Sequence, residues 1–246
     1  MSGLDWLIAR PVAHRGLHDA AAGVIENTPS AVGAAAAAGY EIEVDLQISA
    51  DAEAMVHHDD ALGRLTEGDG RLDAMSAAEL QNTRFKATAD RMMTLADLLD
   101  LVAGRVALIL ELKSRFDRDS RLARRTAEVL RSYAGPVAAM SFDPYQVEAI
   151  QNFAPGLPRG IVAQSHRSSD RVGTTTPWDR LAYLRQGIRS QPHFIAYHVN
   201  DLPASLPLLG RYVLGMPLLT WTVRTPDDRR RAARWADQII FEGFRP

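Results

Sequence analysis

Tyr40-Glu41-Ile42-Glu43-Val44-Asp45-Leu46-Gln47 alternates polar and aliphatic side chains. Side chains two apart on a strand share a face, so Ile42, Val44 and Leu46 point one way and Glu43 and Asp45 the other. At the edge of an open sheet such an acidic face meets water. In a closed barrel it points inward, where two carboxylates are costly unless something neutralises them. Which case holds depends on how many strands the rest of the chain supplies.

Working outward, further short apolar runs read as strands: Val12-Ala13, Val106 to Leu112, Val137 to Ser141, Arg159 to Ala163, Phe194 to Tyr197, Leu218 to Val223 and Gln238 to Phe241. Helical stretches separate most of them. Ser30 to Ala38 is rich in alanine, the best helix former, and Gly39 is placed to end it. Helical patterns also cover Asp119 to Ser132, Pro144 to Asn152, Trp178 to Arg189 and Pro226 to Trp235, the last with proline at its start. Such alternation marks βα units around a parallel sheet. Eight strands in 246 residues fit an α/β fold of the (β/α)₈ TIM-barrel type, read as one domain over residues 1–246.

The segment from about residue 50 to 105 breaks the rhythm. It holds a short strand at Met55 to His57, a turn at Gly68 to Gly70, and short helices around Ser76 to Leu80 and Leu95 to Val102. It reads as a small insertion after strand two, over one rim of the barrel. An open doubly wound sheet is the competing architecture. No Gly-x-Gly-x-x-Gly turn follows the first strand, and no Gly-x-x-x-x-Gly-Lys loop is present.

Composition narrows the function classes. A net charge of −2 gives no electrostatic footprint for nucleic acid. Arg229-Arg230-Arg231 lies on an expected helix and reads as a solvated face. The absence of cysteine rules out a thiol nucleophile and thiolate–metal ligation. No run of about 18 apolar residues is present, so no membrane-spanning helix is expected. Met1 to Arg10 contains Asp5 and lacks a basic region followed by an apolar stretch, so no signal peptide is expected and the location is read as cytoplasmic.

The chemistry gathers at strand ends, where barrel enzymes keep their catalytic groups. Strand one ends in His14-Arg15-Gly16. A histidine there moves protons near neutral pH, an arginine grips phosphate at two points, and a glycine lets backbone approach a ligand. Strand three ends in Glu111-Leu112-Lys113, so Glu111 could complete a three-carboxylate site with Glu43 and Asp45, and Lys113 could offset phosphate charge. A plain Glu–Lys pair is the alternative. His57-His58-Asp59-Asp60 adds two imidazoles. Neighbours on an extended segment point oppositely, so at most one of them faces the site. His18, His166, His193 and His198 lack such company and read as loop or surface residues. All-oxygen ligands suit Mg²⁺, Ca²⁺ or Mn²⁺. One such ion, two basic side chains and two imidazoles match the needs of phosphodiester cleavage.

Beyond these residues, His14-Arg15-Gly16, Glu26-Asn27-Thr28, Glu43-Val44-Asp45, His58 to Thr66, Glu111-Leu112-Lys113, Ser141-Phe142 and Trp221-Thr222-Val223 occur in one order along nearly the whole chain. In this the sequence closely resembles the glycerophosphodiester phosphodiesterase family. The resemblance implies that Glu43, Asp45 and Glu111 bind the divalent cation. It places His58, not His57, in register as partner of His14 in acid–base catalysis. It implies that Arg15 and Lys113 hold the phosphate, and that Trp221 flanks the glycerol or the substrate entrance. The implied reaction is metal-dependent hydrolysis of a small-molecule glycerophosphodiester to an alcohol and sn-glycerol 3-phosphate. The alternatives are a lysophospholipase D-type activity on a lipid headgroup and a non-catalytic phosphodiester-binding barrel. The chain departs from the family's usual Ile-Ile-Thr-Asp ending, with Ile239-Ile240-Phe241-Glu242 in its place.

Overall fold

The computed structural model describes residues 3–165 and 185–246. Its strands are β1 (Val12–His14), β2 (Glu41–Ile48), β3 (Ala54–Val56), β4 (Leu108–Leu112), β5 (Val137–Ser141), β6 (Arg159–Ala163), β7 (Phe194–His198), β8 (Leu218–Val223) and β9 (Gln238–Phe241). All but β3 run parallel, and β1 pairs with both β2 and β9, which closes an eight-stranded barrel. β3 folds back antiparallel on the last residues of β2, beyond the barrel wall.

Two apolar layers follow from the period of two. The barrel interior is filled by alternate residues such as Val12, Ile109, Ala138, Val162, Phe194, Leu219 and Ile240. Leu7, from a short 3₁₀ turn at Asp5–Ile8 ahead of β1, joins this cluster and closes the N-terminal end. Phe194 is fully buried, which is worth about 2–3 kcal/mol over leaving it in water. Gly160 makes that possible, because a Cβ there would lie 2.3 Å from the Phe194 ring. The outward residues Ile42, Val44, Leu46, Leu108 and Leu110 pack under the surrounding helices.

Those helices are α1 (Pro29–Ala37), α2 (Ala77–Asn82), α3 (Leu95–Val102), α4 (Arg121–Leu130), α5 (Pro144–Phe153), α6 (Ser205–Tyr212) and α7 (Pro226–Trp235). Thr28 caps α1, and proline follows it in the first turn. α2 and α3 open with capping boxes, Ser76 with Glu79 and Thr94 with Asp97. Of the helix expected over Trp178 to Arg189, residues 178–184 lie outside the described residues, while 185–189 are helical. α6 was not legible in the sequence. Pro207 looks like a breaker there, but it falls in the first turn, where a missing N–H costs no helical hydrogen bond.

The expected insertion needs one correction. Leu95, Leu98, Leu99 and Val102 bury one face of α3 in the same cluster as Val32 of α1 and Leu108 of β4. α3 is therefore the barrel helix between β2 and β4, not part of the rim. The true excursion has its own small core of Ile25, Met55, Leu62, Leu72, Leu80, Phe85 and Met92. No helix among the described residues is long and apolar enough to cross a membrane.

Candidate active site

The barrel register sets Asp45 of β2 beside Glu111 of β4, and His14 of β1 beside Glu43 of β2. Glu43, Asp45 and Glu111 each offer a carboxylate oxygen within 4.8 Å of the others. Their exposures are 1%, 1% and 8%, so water cannot screen them. Burial, then repulsion from Asp45 and Glu111, pushes the Glu43 carboxyl well above the usual range. Burial pushes Asp45 the same way, but Lys113 and Arg15 outweigh it and hold Asp45 well below. Lys113 Nζ lies 2.8 Å from Asp45 and 2.5 Å from Glu111, and Arg15 Nε lies 3.2 Å from Asp45. Glu43 Oε1 is buried and, among the described residues, has no hydrogen-bond partner. An all-oxygen, buried and under-satisfied donor set of this kind fits a hard divalent cation.

Neighbouring polar groups brace the cluster. Asn27, itself buried, donates Nδ2 to Asp45 at 2.8 Å and accepts the Asp45 backbone N–H at 3.2 Å. Arg15 donates its backbone N–H to Glu43 at 3.0 Å and its Nη1 to Glu26 at 2.7 Å. Arg15 and Asn27 both sit in the left-handed region, at φ of 57° and 58°. Such backbone costs on the order of 1 kcal/mol each and concentrates at functional sites. Gly16 is required by the chain itself, since a Cβ there would stand 2.7 Å from the Ala31 backbone of α1.

Both site histidines are tethered. His14 Nδ1 lies 2.8 Å from Glu242 Oε2, and its Nε2 lies 4.0 Å from Glu43. His58 Nδ1 lies 2.8 Å from Asp59. Arg64 stands behind Asp59 at 2.5 Å and reaches Glu26 at 2.7 Å. Burial lowers the pKa of both rings. His57 points the other way, into the insertion core, with its ring edge-on to Phe85.

His57 carries a prediction of its own. It is 1% exposed, and burial pushes its pKa down to about 4. The unfolded chain takes up this proton near pH 6.5, while the folded chain refuses it until about pH 4. Folding stability supplied by the neutral ring is therefore lost as pH falls through this window, by at most about 3 kcal/mol. Urea unfolding of wild type and His57→Leu at neutral pH and near pH 4.5 checks this. The variant is expected to lose less stability on acidification, and equal losses would show that the buried imidazole is not responsible.

Trp221 of β8 stands at the same rim, edge-on to Phe142 at 5.4 Å and to His198 at 5.0 Å. His198, read from the sequence as a loop or surface residue, instead ends β7, 22% exposed and beside Trp221, its register partner in β8. His193 accepts a hydrogen bond from the Arg159 backbone at 3.2 Å, and His166 lies outside the described residues. Arg229, Arg230 and Arg231 are exposed on α7. Asn27, Asp59 and Glu242 are the residues whose contacts sequence reasoning did not supply. The first two lay within recognised motifs, and Glu242 was marked only as a departure from the family's usual chain ending, with no sign of its contact to His14.

The profile of the glycerophosphoryl diester phosphodiesterase family matches residues 14–243. The chain belongs to this family. It is therefore a phosphoric diester hydrolase acting on glycerophosphodiesters. A glycerophosphodiester phosphodiesterase from Caldanaerobacter subterraneus subsp. tengcongensis is 26% identical over 230 residues, 89% of this chain and 88% of the relative. An Oleispira antarctica phosphodiesterase, solved with the product sn-glycerol-3-phosphate, has the same fold. It superposes with a TM-score of 0.79 at 19% identity, covering 96% of this chain and 93% of that one. A putative family enzyme from Silicibacter pomeroyi gives 0.74 at 24% identity, covering 94% and 89%. For this family the strand-end cluster, His14 to Glu242, falls inside the matched span.

Proposed function

We propose that the protein hydrolyses glycerophosphodiesters to an alcohol and sn-glycerol 3-phosphate, with Glu43, Asp45 and Glu111 holding a divalent cation and His14 and His58 exchanging protons. The observation that carries this reading is the pair of imidazoles, each tied at Nδ1 to a carboxylate, beside three buried carboxylates. His14 lies on the Glu43 side and His58 on the Asp45 side.

A bound divalent cation supplies Lewis-acid neutralisation of the phosphate. Arg15 and Lys113 grip the phosphate oxygens, with the planar guanidinium offering two parallel donors. The leaving alkoxide has high proton affinity and takes a proton from one imidazole. The other imidazole removes the proton from the attacking hydroxyl, either water or the neighbouring glycerol hydroxyl. The ring that acts as acid enters the step as imidazolium; burial, which lowers the pKa of both rings, favours the neutral form the base needs and works against the acid's charged form. Trp221 forms an apolar wall for the glycerol or the entrance.

The test is a panel of glycerophosphodiesters and lysophospholipids assayed with Mg²⁺, Ca²⁺ or Mn²⁺ and with chelator. Turnover of glycerophosphodiesters that chelator abolishes is expected. Chelator-resistant turnover, or turnover confined to lysophospholipids, would overturn the reading.

A further inference from the structure

We propose that Glu242 is a positioning residue for His14, fixing its proton on Nδ1 so that Nε2 faces the acidic cluster; this rests on the reading of His14 as a proton-transfer group. The ring is held at Nδ1, 2.8 Å from Glu242 Oε2, while Nε2 faces Glu43 Oε2 at 4.0 Å, beyond hydrogen-bond distance. An ionised carboxylate accepts hydrogen bonds and cannot donate them, so Nδ1 carries the proton in the neutral ring. The lone pair is then on Nε2, the nitrogen that faces the cluster. Among the described residues, His14 has no other side-chain hydrogen bond.

Glu242 is built to stay ionised and still. Burial acts to raise its pKa, but the hydrogen bonds from His14 and Arg224 outweigh that and bring it down to about 2. Its backbone N–H donates to the Val223 carbonyl at 3.0 Å, which ties the end of β9 to the end of β8. Arg224 donates Nη2 to the same carboxylate oxygen at 2.8 Å. The arrangement of imidazole, carboxylate and guanidinium thus occurs twice, as His14–Glu242–Arg224 and His58–Asp59–Arg64. The His58 carboxylate comes from the adjacent residue, whereas that of His14 comes from the far end of the chain. At 22% exposure, the Glu242 side chain can be replaced without opening the core.

The experiment combines nitrogen-15 spectra of histidine-labelled protein with steady-state kinetics, using His14→Gln to assign the His14 signals. At about pH 8, where a histidine of ordinary or lowered pKa is neutral, wild type is expected to hold His14 as the Nδ1–H tautomer. Glu242→Ala is expected to shift His14 toward the Nε2–H tautomer. It should lower kcat by about 10- to 100-fold with little change in KM, the usual worth of a partner that orients a site histidine from behind. Glu242→Gln, whose amide oxygen still accepts from Nδ1, should keep the tautomer and recover part of kcat. A wild-type Nε2–H tautomer overturns the proposal, as does a Glu242→Ala variant with unchanged tautomer and kcat. Absence of wild-type turnover on any phosphodiester would instead remove the function of His14, while the spectra still report on the tether.

Discussion

Glu111→Ala is expected to abolish divalent-cation binding and turnover together. The wild-type cluster sets three buried carboxylates against Lys113 and Arg15, and Arg15 is shared with Glu26. That leaves an excess of negative charge for a cation to neutralise. Without Glu111, Lys113 keeps Asp45 as its partner, the excess falls by one charge, and one oxygen ligand is lost. A Lewis acid contributes several kcal/mol of charge stabilisation in phosphoryl chemistry, so its loss should cost about a thousandfold or more in kcat/KM. Misfolding is distinguishable from ligand loss. Removing one of several repelling buried carboxylates should leave the metal-free melting temperature unchanged or raised, because the group was costly to bury. Calorimetric titration with Mg²⁺, Ca²⁺ and Mn²⁺, thermal melts with and without cation, and steady-state rates would settle the matter. Full cation-stimulated turnover in Glu111→Ala would sink the assignment.

Substitution of either site histidine is expected to be nearly as damaging, by a different route. His14→Ala and His58→Ala should each lower kcat by roughly 10²–10⁴, the usual worth of a general acid or base, with cation binding intact. The two rings approach the carboxylates from different elements, β1 and the segment after β3. Neither can therefore substitute for the other. His57→Ala is the control. Its ring is turned into the insertion core against Phe85, so its loss should reduce stability and leave kcat within a few-fold of wild type. Equal damage from His57→Ala and His58→Ala, or near-normal turnover in His14→Ala, would refute the pairing. Capture of a cyclic glycerol phosphate in these reactions would separate attack by the glycerol hydroxyl from attack by water.

Much of this protein is encoded in short-range pattern. Glu43 and Asp45 share a face because consecutive strand residues alternate, and that holds before any tertiary contact forms. The same covalent period puts Glu111 and Lys113 on one face where β4 ends, and sends His57 and His58 apart. Alternating strands and helices limited the architecture to parallel sheets, and the number of strands favoured closure. Other features depended on closure itself. β1 pairs with β9 only once the barrel is complete, and that pairing brings Glu242 to His14 across 228 residues. Packing within the barrel, through the β6–β7 and β7–β8 pairings, also sets His198 edge-on to Trp221 and lets the Phe194 ring fill the space above Gly160. It also made α3 a wall of the barrel, since an amphipathic helix does not record which apolar surface it will cover. Periodicity is a property of the backbone and can be read along the chain. Which distant side chains meet is decided by strand register and packing in three dimensions, and no local run of residues carries that information.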